Sequence, residues 1–182
     1  MNISPIQMVE LSFRKLSLEV DFDHLPDGSA PRDAHSLLRN VGMRTQVQAQ
    51  RIEKDDPRGT LHFVTLRLII NNDRHEDDSD QRFSPYLIDV EAGAVVALAP
   101  GVERFGDPDD LVAVNGPAFV WSAIREQVMN LTARMPAGPA LLPSVNFHDL
   151  RKSARPDTAG SSGDAEPAET AKPAKRPRQK KS

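Results

Sequence analysis

The chain contains no cysteine. That absence removes disulfides, thiolate metal sites and cysteine nucleophiles together, and it is compatible with a reducing compartment. No apolar run approaches the ~20 residues that cross a bilayer. Met1 to Leu11 lacks the basic start and long apolar block of a secretory signal, so a cytoplasmic location is expected. There is no nucleophile elbow and no phosphate-cradling glycine loop, and the five histidines, at 24, 35, 62, 75 and 148, lack zinc-site spacing. Neither enzymatic activity nor a cofactor or metal is expected. The acidic run Asp73-Arg74-His75-Glu76-Asp77-Asp78-Ser79-Asp80 has the charge of a calcium loop but lacks its turn glycine and terminal glutamate. It reads as a solvated connection between strands.

What is present fits one soluble domain with an appendage. The chain has 182 residues, of which 38% are hydrophobic and 27% charged, enough for one sizeable core. The domain is expected over residues 1–152. Residues 151–182 carry nine Lys or Arg against four acids, a net charge of +5, and subtracting this from the whole-chain −3 leaves −8 for residues 1–150. An acidic body therefore carries a basic tail. From Ser153 the tail is rich in Ala, Pro, Ser and Gly and ends Lys172-Pro173-Ala174-Lys175-Arg176-Pro177-Arg178-Gln179-Lys180-Lys181, a composition expected to be disordered. Such a cluster binds phosphates in a salt-dependent way, but without aromatics it offers no base stacking. Contact with the acidic body, nucleic acid or anionic lipid, and simple solubilisation remain open for it.

The periodicity is strand-like first and helical last. Leu16, Leu18, Val20 and Phe22 alternate with Ser17, Glu19, Asp21 and Asp23, which predicts a half-buried strand with an acidic outer face. Val9, Leu11 and Phe13 run in the opposite phase, which predicts a bulge near Arg14-Lys15. Leu25-Pro26-Asp27-Gly28 supplies turn chemistry, and a long polar crossover follows to Asn40. A second strand is expected from Val41 to Ile52 and a third from Thr60 to Ile70, whose Val64, Leu66, Leu68 and Ile70 mark it as central. A fourth is expected from Phe83 to Glu91, with Gly93 permitting a sharp bend into Val95–Leu98. A helix is expected from Phe119 to Arg134, with Val120, Ile124, Val128, Leu131 and Met135 on one side and Pro117 at its start. Met135-Pro136-Ala137-Gly138-Pro139 ends it, and His148-Asp149-Leu150 is a candidate second helix. Strands joined by turns form an antiparallel sheet, and helices gathered at the end cover one face. The fold class is α+β.

Several of these stretches carry a family likeness. Ile124-Arg125-Glu126, Ala133-Arg134 and, at unbroken spacing, Val145-Asn146-Phe147-His148-Asp149-Leu150 resemble the bacterial protein-export chaperone family SecB. Members have an Ala-Arg-Glu step on a helix, a Pro-containing loop and then Pro-Val-Asn-Phe-Asp-Ala-Leu. Val20-Asp21-Phe22-Asp23 followed by Pro26, Leu66-Arg67, and Leu87-Ile88-Asp89-Val90-Glu91-Ala92-Gly93 extend the resemblance over most of residues 9–150. The chain departs from the family in lacking Trp-Gln-Pro within Ser36–Gly42, in having one glycine after the fourth strand, and in its basic tail.

The resemblance implies a four-stranded antiparallel sheet with a long and a short C-terminal helix on one face, assembled as a dimer of dimers through the long helix. It implies an ATP-independent holdase that binds unfolded preproteins and passes them to the translocase ATPase, SecA. Glu19, Asp23, Leu87 and Asp89 match the family's ATPase-docking face, with a solvated strand face as the alternative. Pattern rather than motif selects Val41, Met43, Val47, Trp121, Phe147 and Leu150 as candidates for a client-peptide groove, with core or interface packing as the alternative for each. Trp121 and Met129 lie off the main apolar side of the helix and are the residues that distinguish interface from groove. Two other functions stay open: a SecB-like chaperone dedicated to one partner such as an antitoxin, and a nucleic-acid or ribosome accessory protein acting through the basic tail.

Overall fold

The computed structural model describes residues 4–26, 34, 37–52, 56–73 and 82–151. The tail, His35, His75, the acidic run after Asp73 and most of the polar crossover lie outside the described residues. Four strands, β1 (Ile6–Val20), β2 (Arg44–Ile52), β3 (Thr60–Ile70) and β4 (Tyr86–Leu98), form one antiparallel sheet in the order β1-β4-β3-β2. One long helix, α1 (Pro108–Thr132), packs on one face. This is the α+β arrangement expected, except that the short helix is a single 3-10 turn at His148–Leu150.

The third strand behaves as its alternation demands. Val64, Leu66 and Leu68 are fully buried beneath α1, and Ile70 nearly so. β1 runs with register shifts between Met8 and Glu10 and between Phe13 and Lys15. The second shift is the expected bulge. It brings Leu11 and Phe13, opposite Ala94 and Ala92, onto the same face as Leu16 opposite Val90, because an extra residue reverses the phase of everything beyond it. Burial along β1 is incomplete: Leu16 is 43% exposed, and Phe22, displaced from the strand into a 3-10 turn, is 73% exposed. β1 is an edge strand, and α1 lies mainly over β3 and β4.

Two expected boundaries are corrected. β4 continues as one strand through Gly93. The glycine instead accommodates the Phe63 ring, whose Cζ would lie 2.7 Å from a Cβ at that position. The helix begins at Pro108 rather than Phe119, with Pro117 in its interior. Asp107 caps it by accepting from Asp109 N–H at 2.8 Å, Pro108 occupies the first turn, and Asp109 and Asp110 complement the helix dipole. Gly116-Pro117 faces the sheet, where a Cβ on Gly116 would stand 2.7 Å from Val64 Cγ2. These two residues mark a close approach of helix to strand, not a helix start. Val112, Gly116, Val120, Ile124 and Val128 make the buried stripe, while Leu131 and Met135 are only half-buried.

Beyond α1 the chain turns back along the helix. Tyr86 Oη donates to Gly138 O at 2.6 Å, and Thr132 Oγ1 accepts from Ala140 N–H at 2.8 Å. Both bonds are buried and fix the reversal.

Candidate functional site

The returning segment sets the fate of two groove candidates. Arg125 Nε donates to Leu142 O at 2.8 Å, and Trp121 Nε1 donates to Pro143 O at 3.0 Å. The Phe147 ring then meets Trp121 edge-on, with centroids 6.4 Å apart. Trp121 and Phe147 are buried, at 5% and 7% exposure, so in this chain they pack the segment onto α1 and do not line an open groove. Val41 is also buried, held short of β2 by an isolated bridge to Arg82. Met43, Val47 and Met129 are half-buried, and Leu150 is exposed.

Met43 and Val47 belong to a wider feature. On β2 the helix-side residues are Thr45, Val47, Ala49 and Arg51, fixed by pairing with Leu68, Leu66, Val64 and His62. Only Val47 of these is shielded at all, since α1 contacts β2 least. Among the described residues no strand pairs with the outer edge of β2. Its backbone groups and a shallow apolar strip thus lie side by side. At the opposite edge Met8, Phe13 and Leu16 expose 43%, 37% and 43% of their surface on the helix side of β1. This second strip and Ala49 were not singled out from the sequence, because they depend on which strands the helix leaves uncovered.

The outer face carries the other candidates. Glu19 sits directly opposite Leu87, and Asp89 lies opposite Ser17 on the neighbouring pair, so these three are together around a depression of about 470 Å³. Asp23 is apart, exposed in the 3-10 turn after β1. Of the carboxylates expected to make this face acidic, Asp21 and Asp89 are engaged by neighbouring side chains. Arg67 holds Asp89 through two bonds of 2.9 and 2.8 Å, Lys15 binds the same carboxylate, and Arg14 pairs with Glu91 at 3.5 Å. Arg14 also lies over the Phe63 ring, 4.9 Å from its centroid. Asp21 caps the turn, where bonds from His24 and Asn72, each 2.8 Å, lower its pKa.

Arg67, then Lys15, hold the Asp89 carboxyl down to about 2 against the opposing effect of burial. A carboxylate depressed in the fold contributes stability above its ordinary pKa of 3.8 and loses it as pH falls toward 2. Asp89→Asn is therefore expected to lower the urea midpoint near neutral pH and to converge with the parent chain near pH 2. Urea titrations at the two pH values check this, and a constant gap would contradict it.

A larger cleft, about 1080 Å³, opens between the start of β3, the end of β4 and the first turn of α1. His62 forms part of its wall. The residue is 5% exposed and its Nδ1 has no hydrogen-bond partner; burial lowers its pKa, opposed by Asp109 and assisted by Arg51. Among the described residues no cluster of side chains could hold a metal ion, and no helix is long and apolar enough to cross a membrane.

No family model matches the chain, and no curated protein matches it. Among solved structures, a SecB-like chaperone of Mycobacterium tuberculosis, in complex with a peptide from an antitoxin, is similar at 17% identity and a TM-score of 0.40, over 78% of this chain and 91% of that one. A protein of unknown function from Streptococcus agalactiae is similar at 10% identity and a TM-score of 0.47, over 77% of this chain and 97% of that one.

Proposed function

We propose that the protein is an ATP-independent holdase of the cytoplasm that binds unfolded polypeptides without cofactor or catalysis. The observation that carries this reading is the strip on β2: a strand edge unpaired among the described residues, beside Met43, Val47 and Ala49 on the part of the helix-side face that α1 leaves uncovered. An extended chain can add to such an edge through backbone hydrogen bonds, and alternate side chains then rest on the apolar strip without selecting one sequence. The SecB resemblance of residues 9–150 supports the same reading. Binding of this kind competes with folding and aggregation, so slow-folding clients are held preferentially.

Assembly and delivery extend the proposal. The second strip, Met8, Phe13 and Leu16 beside the edge of β1 that is unpaired among the described residues, supports burial against another copy and hence the tetramer implied by the resemblance. Delivery to a translocase ATPase rests on Glu19, Leu87 and Asp89. With Asp89 held by Arg67 and Lys15, docking there would depend on Leu87 and Glu19 more than on long-range attraction. Export and service to a single dedicated partner share the β2 strip and differ only in the client.

Ala49→Glu tests the site, since Ala49 is exposed and outside the core. The substitution places a charge between strip and client, and affinity for a fluorescently labelled unfolded polypeptide, read by anisotropy, is expected to fall about tenfold for the ~1.4 kcal/mol lost with one or two apolar contacts. Unchanged affinity in a variant with the parent's size and thermal midpoint would remove β2 from the binding site.

A further inference from the structure

The edge strand β2 carries charge of one sign in a body of the other. We propose that it selects extended segments in which an acidic residue stands two positions from one apolar residue and four from the next, with the carboxylate bound by Arg51. This selection rests on the holdase reading of β2 and specifies which segments the strand holds.

β2 reads Arg-Thr-Gln-Val-Gln-Ala-Gln-Arg-Ile, with two arginines and no carboxylate, although residues 1–150 together carry −8. The other edge strand, β1, balances Glu10 and Glu19 against Arg14 and Lys15. Of the two, β2 alone offers an edge of one charge. Its outward face, Gln46, Gln48 and Gln50, is exposed and neutral, and Arg44 at one end already binds Asp73 at 2.7 Å. Arg51 differs. It is exposed on the helix-side face, two residues beyond Ala49 and four beyond Val47, and none of the ion pairs among the described residues includes it. Glu103 and Asp109 share the neighbouring cleft with Arg51 but do not pair with it.

A segment added to β2 places its side chains on the same two faces as the strand, because residues directly opposite in neighbouring strands share a face. Apolar side chains opposite Val47 and Ala49 leave the next helix-side position opposite Arg51, about 13 Å along the strand from Val47. A carboxylate there can accept two parallel N–H bonds from the guanidinium. A lysine or arginine there is repelled. Antiparallel addition puts the acid N-terminal to the apolar pair, and parallel addition puts it C-terminal. The body as a whole pulls the other way, since −8 on residues 1–150 attracts basic segments. At an ionic strength of about 0.15 M the Debye length is only about 8 Å, so distant carboxylates are screened and the arginine in contact decides.

Three short labelled peptides of serine and threonine test the selection by anisotropy with the full chain at that ionic strength. Each has leucine at two alternate positions, and the next alternate position on both sides is glutamate, serine or lysine. The glutamate peptide is expected to bind about threefold more tightly than the serine peptide and about tenfold more tightly than the lysine peptide, the scale of exposed ion pairs and like-charge contacts. Arg51→Gln is expected to remove the differences and Arg51→Glu to reverse their order. Arg51 is exposed, so both variants are expected to keep the parent's thermal midpoint. Equal affinities, tightest binding of the lysine peptide, or an order that Arg51→Glu leaves as it was would overturn the selection while leaving β2 as a binding site. Failure of all three peptides to bind would also overturn it, and the holdase reading falls with it only if a labelled unfolded polypeptide fails to bind as well.

Discussion

Trp121→Ala is expected to lower the unfolding free energy by about 3–5 kcal/mol, the range for truncating a large aromatic in a packed core. The side chain fills space between α1 and the returning segment, its N–H is bonded to Pro143 O, and the Phe147 ring rests edge-on against it. Alanine leaves a cavity and an unpaired carbonyl, each a separate cost. Trp121→Phe keeps most of the volume and loses the bond, so it is expected to cost about 1–3 kcal/mol. Urea unfolding of both variants measures the difference. Equal stability of Trp121→Ala and the parent would mean that residues 141–150 do not pack on the helix as described. Any loss of client binding in a Trp121 variant must therefore be separated from loss of fold.

Gly116→Leu is expected to destabilise the chain by about 2–3 kcal/mol, at the upper end for overpacking a core. A Cβ at this position would already stand 2.7 Å from Val64 Cγ2 and 3.3 Å from Val64 Cγ1. Val64 is fully buried in the central strand and cannot swing away, so the helix must lift. Helix propensity works in the opposite direction, favouring leucine over glycine by close to 1 kcal/mol. Gly116→Ala sets the two effects nearly against each other and is expected to change stability by less than Gly116→Leu. Thermal unfolding of the pair checks the order, and a leucine variant as stable as the parent would show that α1 stands further from β3 than the structure places it.

Local patterns made much of the fold legible. β3 was readable because both its neighbours cover it, so alternation maps directly onto burial, and the β1 bulge was readable because the apolar phase reverses across it. The helix start was misplaced because Gly116-Pro117 has the chemistry of a beginning, while the actual cap at Asp107 lies twelve residues before the expected start at Phe119. Gly93 was assigned to a bend because nothing in its own neighbourhood reveals the Phe63 ring across the sheet. The site was less legible. Trp121 is off the stripe of Val120, Ile124 and Val128, and only the return of residues 141–147 buries it. Asp89 looked like one charge of an acidic face, and its bonds to Arg67 and Lys15 depend on register between three strands. His62 carries no motif, and its unpartnered nitrogen exists only once the cleft is formed.

The central claim is that the chain holds unfolded polypeptides without ATP. Light scattering from a chemically unfolded protein diluted into buffer, with and without the full chain and with no nucleotide, tests it most directly. Suppression of scattering near stoichiometric ratios, for several unrelated clients and weakened by Ala49→Glu, is the predicted result. Scattering that rises as fast with the full chain as without it, for every client, would contradict the claim and direct the search to a single dedicated partner.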